Sequence, residues 1–266
     1  MFFRQVFLIY GIAGILALSA CSEYQKVLKS NDPGYKYEKA MEYYVDEDCF
    51  RATDLLEELV TIYRGSSRGE KVYYYYANCL FSQDNYIYAA YHYARFSQTY
   101  PNSEFAEECE FLSAKCYYYM SPNPNLDQEN THKAIEALQL FLNKHPGSSY
   151  MEECNKMINK LRDKLETKAY DIAKLYFKMG YYKSAIIALK NNLKDYPDTK
   201  YREDILFHIL KSGFLLAENS VQKKQNERYS AAIDYYYQFV AEYPESKYLK
   251  EAERFFKNAE KQLSIQ

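Results

Sequence analysis

Tryptophan is absent from the 266 residues, and histidine (four), proline (seven) and glycine (eight) are scarce. Each shortage removes a class of chemistry. With so little glycine there is no GxxxxGK[ST] or GxGxxG run, and so no evident loop to cradle phosphate with its backbone N–H groups. His92, His132, His145 and His208 never stand at i, i+4 and no CxxC occurs, so the common zinc patterns lack ligands. The 34 Lys+Arg nearly balance the 36 Asp+Glu, leaving a net charge of −2 with no basic stripe, which argues against a nucleic-acid partner. Carboxylates alternate with lysines, as on a solvated helix face. Neither catalysis, nor a metal, nor a bound cofactor is expected. What remains is binding.

One stretch is continuously apolar. Residues 6–18 follow Arg4 and, as a helix, would span only about 20 Å against a hydrocarbon core of about 30 Å, which fits a signal peptide (1–20) better than a membrane span. Its end, Leu18-Ser19-Ala20-Cys21, resembles the bacterial lipobox, in which the cysteine is lipidated. Cleavage before Cys21 would leave a lipid-anchored chain, with residues 21–33 as tether and each buried methylene adding about 0.8 kcal/mol of membrane affinity. The other five cysteines (Cys49, Cys79, Cys109, Cys116 and Cys154) are read mostly as small buried hydrophobes.

From residue 34 onward an internal ruler recurs. Tyr100-Pro101, His145-Pro146, Tyr196-Pro197 and Tyr243-Pro244 each close a helical pattern, and Tyr63-Arg64 fills the same place first. An alanine stands twelve residues before every proline position: Ala52, Ala89, Ala134, Ala185 and Ala232. Four residues after each comes Leu56, Tyr93, Leu138, Leu189 or Tyr236, so a small residue and a large one share a helix face where another helix crosses. Ser103, Ser148, Thr199 and Ser246 offer N-caps beyond the proline.

The pattern resembles tetratricopeptide repeats, and the expected fold is all-α: a right-handed α-solenoid of about five repeats (34–66, 67–102, 103–147, 148–198, 199–245) with a capping helix at 246–264. Alanine spacings of 37, 45, 51 and 47 exceed the 34-residue period, so segments are inserted. Residues 121–131 and the polar stretch from Asn219 to Arg228 read as loops. Between Gly147 and Gly180 there is neither Gly nor Pro, and Met157, Leu161, Leu165, Ile172, Leu175 and Met179 recur at helical spacing. One long helix is predicted there, linking repeats three and four.

Four consecutive tyrosines, Tyr73 to Tyr76, cannot share one helix face. The repeat register gives Tyr73 and Tyr76 to the core, Tyr75 to an edge, and Tyr74 with Asn78 and Phe81 to the concave surface. Tyr170, Lys174 and Phe177 are their equivalents in repeat four. These six residues are the candidate partner or substrate groove; for Tyr74 and Phe81 the alternative is cover by a neighbouring repeat.

Beyond spacing, the chain resembles the BamD family of outer-membrane β-barrel assembly lipoproteins. The resemblance rests on the acidic residues 127–129, Pro146-x-Ser148-x-Tyr150, the pair Leu161 and Leu165, Ala173 with Tyr176 and Phe177, Gly180, and the run DYPDT at 195–199. It implies a non-catalytic scaffold at the periplasmic face of the outer membrane. C-terminal repeats would bind the BamA-type insertase and N-terminal repeats unfolded outer-membrane proteins. Lys168 and Ala169 stand where the family commonly has an aromatic-Glu pair, so a contact through that glutamate does not carry over. Another envelope tetratricopeptide-repeat adaptor, serving peptidoglycan, division or a surface complex, is the alternative.

Overall fold

A computed structural model describes residues 23–265, and among them there are helices and no strands. The predicted signal peptide and Cys21 lie outside the described residues. A short helical segment at 23–28 precedes α1 (Pro33–Val45), α2 (Cys49–Ile62), α3 (Ser67–Ser82), α4 (Tyr86–Thr99), α5 (Ala106–Met120) and α6 (Glu129–Lys144). Then come α7 (Met151–Lys178), α8 (Tyr182–Asp195), α9 (Arg202–Glu218), α10 (Gln222–Glu242) and α11 (Leu249–Ile265).

Helix boundaries follow from local chemistry. Asp32 caps α1 by accepting the N–H groups of Gly34 (2.8 Å) and Tyr35 (3.3 Å), with Pro33 at a first-turn position that needs no donor. Ser66 caps α3 through Gly69 N–H at 3.1 Å, and Asp48 caps α2 through Arg51 N–H at 3.1 Å. Tyr100, His145, Tyr196 and Tyr243 end their helices because the following proline drives them out of helical conformation. Gly180, at φ +79°, turns the chain after α7.

The ruler alanines are all buried, as are Leu56, Tyr93, Leu138 and Leu189 four residues on; Tyr236 is half-buried. The ruler therefore marks the seam where helices pack. Asn192 occupies a place that Leu59, Phe96, Phe141 and Phe239 fill elsewhere, and it too is buried.

Two expectations need correction. The polar stretch from Asn219 is not a loop: α10 starts at Gln222 and runs for 21 residues. Gln, Lys, Glu and Arg are good helix formers, and no Gly or Pro interrupts them. Nor do the serines and threonine after each proline cap the long helices directly. The helices begin later, with Phe105 and Tyr201 as cap residues of α5 and α9, and the hydroxyls instead bind the N–H two residues on.

By its packing the chain divides into two compact units, where the sequence suggested one domain from residue 34 onward. The first runs to Pro122 and resumes at Gln128–Leu161; the second comprises Asn123–Asp127 and Arg162–Gln266. Unit one is centred on Leu55, Leu56, Val72, Tyr93 and Phe96, and on Phe111, Leu138, Phe141 and Leu161. Unit two is centred on Tyr170, Leu189, Phe207, Leu210 and Phe239. The predicted long helix, α7, has 28 residues, about 42 Å, and belongs to both. Residues 162–165, just past Leu161, are exposed or half-buried.

Candidate partner-binding surfaces

Each unit repeats one joint between successive helix pairs. Phe105 lies flat on Tyr74 (centroids 4.3 Å apart), Tyr150 on Phe111 (4.2 Å), Tyr201 on Tyr170 (4.2 Å) and Tyr248 on Phe207 (4.3 Å), with ring planes within 18°. Three joints carry the same clasp. The hydroxyls of Ser103, Thr199 and Ser246 donate to Glu70, Glu166 (2.5 Å) and Glu203 (2.7 Å), and accept the N–H of the stacked aromatic at 3.1, 3.1 and 3.0 Å. An acid three residues past that aromatic then reaches back to the first helix of the preceding pair. Lys115–Glu153 closes at 2.8 Å, Lys174–Asp204 at 3.5 Å and Lys211–Glu251 at 2.9 Å, while Tyr74 donates to Glu108 at 2.9 Å.

This ladder changes the reading of the sequence-derived groove. Tyr74, assigned from the sequence to the concave surface, is half-buried in the joint, and Tyr170 is 7% exposed under Tyr201. The aromatic of the next pair covers each of them. Burial, and then the bond to Glu108, raises the Tyr74 hydroxyl well above its ordinary range, while Asn78 opposes. Lys174 is committed to Asp204. Phe81 packs against Tyr86, Tyr93 and Tyr119, and Phe177 against Tyr182 and His208. Tyr73 and Tyr76 are buried, as the register requires.

Tyr74→Phe should therefore lower stability by about 1 kcal/mol through the lost bond to Glu108. Tyr74→Ala, which also removes the stacked ring, should cost about 3 kcal/mol in urea denaturation. Equal stability of Tyr74→Ala and the parent chain would show that the joint carries no load.

Asn78 lines an open concavity. Its amide donates to Tyr44 Oη (3.1 Å) and accepts from Tyr93 Oη (2.7 Å), and the cleft, about 700 Å³, is bordered by Tyr44, Val45, Phe50 and Gln83. Val45 and Phe50 are about three-quarters exposed. Unit two presents a different surface. Ile172, Leu175 and Tyr176 on α7, with Met179 in the turn just past its end, stand at i, i+3, i+4 and i+7 and are all exposed. In the sequence Ile172, Leu175 and Met179 mark only the helical spacing of this segment. The signal that distinguishes them is that α7 is apolar on two faces, and only the face with Tyr170 and Ala173 is buried.

The described residues contain no cluster of three or more His, Cys, Asp or Glu able to hold a metal, and no described helix is long and apolar enough to cross a membrane. Burial pushes the thiols of Cys116 and Cys154 up to about 12 and about 11, so both stay protonated and act as packing atoms.

A family model described as outer membrane lipoprotein (YfiO) matches residues 29–228, and a tetratricopeptide-repeat model matches residues 211–246. The chain is similar to the outer membrane protein assembly factor BamD of Caulobacter vibrioides, with 26% identity over 130 residues, 49% of this chain and 43% of that protein. Against the putative outer membrane protein assembly factor BamD of Aquifex aeolicus it is 24% identical over 218 residues, 81% of this chain and 71% of the relative. BamD of Rickettsia prowazekii is 25% identical over 148 residues, 56% and 55% of the two chains. The matches thus span about half the length of the Caulobacter and Rickettsia relatives. With the lipoprotein model running through helices of both units, the chain belongs to the YfiO family of outer membrane lipoproteins, and BamD assembly factors are among its relatives.

Proposed function

We propose that the protein is a non-catalytic scaffold of outer-membrane protein assembly, anchored by lipid on Cys21 and facing the periplasm. The observation that carries this reading is the family match across both units, together with relatives named as assembly factors. The two surfaces give it physical content. In unit one, the cleft beside Asn78 combines exposed Val45 and Phe50 with the hydrogen-bonding groups of Tyr44 and Gln83, a mixture suited to an extended segment of an unfolded barrel protein. In unit two, the stripe Ile172, Leu175, Tyr176 and Met179 is suited to a folded partner, the BamA-type insertase. Carrying both on one chain raises the effective concentration of substrate at the insertase without any bond-making step.

Affinity capture of the full chain from native outer membranes should recover the insertase. Leu175→Glu with Met179→Glu should cut that recovery at least about tenfold, while Val45→Ser with Phe50→Ser should spare it and lower cross-linking to nascent barrel protein. Substitutions at such exposed sites should shift stability by no more than about 0.5 kcal/mol. A parent chain that recovers no insertase, from membranes whose other envelope complexes stay intact, would sink the proposal.

A further inference from the structure

Behind the turn that follows α2 lies a cleft of about 510 Å³ in unit one, between that turn and α4, whose lining includes Arg64, Arg95, Tyr73, His92, Val60 and Tyr100. No carboxylate lines it. Other arginines of this chain do find acids: Arg51 pairs with Asp48 (3.4 Å), Arg202 with Glu242 (2.7 Å) and Arg254 with Glu251 (3.7 Å). Neither Arg64 nor Arg95 forms such a pair among the described residues. Arg95 spends one N–H on the hydroxyl of Tyr91, at 2.5 Å, and both arginines are exposed residues lining the cleft. The floor is neutral and polar. Tyr73 Oη lies 3.3 Å from His92 Nδ1; burial, with Arg95 adding to it, keeps the imidazole below its ordinary pKa, and burial pushes the Tyr73 hydroxyl up to about 12 against the pull of Arg95 and Arg64.

We infer that this cleft binds a phosphate group, held between Arg64 and Arg95. Two forks approaching from separate elements suit a tetrahedral anion with oxygens on several sides, whereas one fork already satisfies a planar carboxylate. The cleft is far larger than inorganic phosphate, and Val60 and the rings of Tyr73 and Tyr100 give it apolar walls. An amphiphilic phosphodiester fits that mixture, and for a member of an outer membrane lipoprotein family phospholipid headgroups are at hand. The site shares no residue with either surface assigned above and does not depend on their roles.

The test is native mass spectrometry of the full chain in a neutral detergent, with phosphatidylglycerol in one arm and inorganic phosphate in the other. The parent chain should retain a phosphate probe, less so as salt rises. Arg64→Gln with Arg95→Gln should retain it at least about tenfold less with an unchanged thermal melt, and Arg64→Lys with Arg95→Lys should fall between, because the charges stay but the forks are lost. Retention of phosphatidylglycerol alone assigns the site to a lipid headgroup, and displacement of the lipid by millimolar phosphate assigns it to soluble phosphate. Equal retention by the Gln variant overturns the inference. So does binding of neither probe, or of a peptide bearing a free carboxylate in their place.

Discussion

Replacing Gly69 with alanine should destabilise unit one by about 3 kcal/mol or more, a large part of the 5–15 kcal/mol that holds a typical domain folded. Helix propensity alone predicts the opposite sign, since alanine inside a helix is better than glycine by about 1 kcal/mol. Packing decides the matter. A Cβ at position 69 would sit 2.0 Å from the carbonyl oxygen of Tyr63 and 2.8 Å from its carbonyl carbon, and both are backbone atoms that cannot swing aside like a side chain. The same oxygen accepts Ser66 N–H at 3.0 Å and Ser66 Oγ at 2.7 Å, and Ser66 in turn caps α3 through Gly69 N–H. Relieving the clash means pulling apart the turn that starts the helix. Gly147→Ala is the control: nothing lies within 4 Å of its added Cβ, and the change should stay within about 0.5 kcal/mol. Urea denaturation of the two variants beside the parent chain measures both; a Gly69→Ala chain as stable as the parent would mean that the turn is far more pliant than its geometry.

The contrast between Gly69 and the ruler alanines shows what a single chain discloses about its fold. Ala52, Ala89, Ala134, Ala185 and Ala232 keep a fixed distance from the position where each helix stops, a proline in four of the five, so pattern and burial agree. The clasps are another matter. Pro-x-Ser/Thr-x-aromatic is visible as a turn, but the partner ring lies 31 residues back in two joints and 39 or 41 in the others, since inserted segments change the interval. Tyr74 illustrates the cost. Periodicity placed it off the core face of α3, yet periodicity carries no information on what covers a face, and Phe105 covers this one. The exposed stripe at the end of α7 shows the same limit: Leu175 and Met179 keep helical spacing, and only packing reveals that no described helix buries them. A similar limit applies to residues 222–228, where polarity suggested a loop although every residue type present tolerates a helix. The cleft of Arg64 and Arg95 was illegible for a further reason, that the lack of a nearby acid is a property of space rather than of order along the chain.

In unit two the largest single effect is expected at Asp204, where one carboxylate gathers most of the joint between repeats. Oδ2 accepts from the Tyr170 hydroxyl, from His208 Nδ1 at 3.2 Å and from Lys174 Nζ at 3.5 Å; Oδ1 accepts from the Tyr248 hydroxyl at 2.7 Å. His208 Nδ1 also sits 2.8 Å from the Asp204 carbonyl oxygen, which makes it the protonated nitrogen. Burial raises the carboxyl, but the hydrogen bonds from His208, Tyr170 and Tyr248 outweigh it and hold the group well below the usual carboxylate range. Because the folded value lies below the unfolded one of about 3.9, falling pH protonates the unfolded chain first. The stability this carboxylate provides is complete above about pH 5 and is lost progressively as acid carries the pH down through the folded value. Asp204→Ala should cost about 3 kcal/mol at neutral pH, because two tyrosine hydroxyls and a lysine lose their acceptor inside the joint. Asp204→Asn keeps the shape and one acceptor oxygen, so it should cost less, about 1–2 kcal/mol, and its stability should fall less steeply than the parent's between pH 5 and pH 3. The pH slope separates charge from packing: an Asn variant that loses stability in acid as steeply as the parent would show that Asp204 holds the joint by its shape and not by its charge.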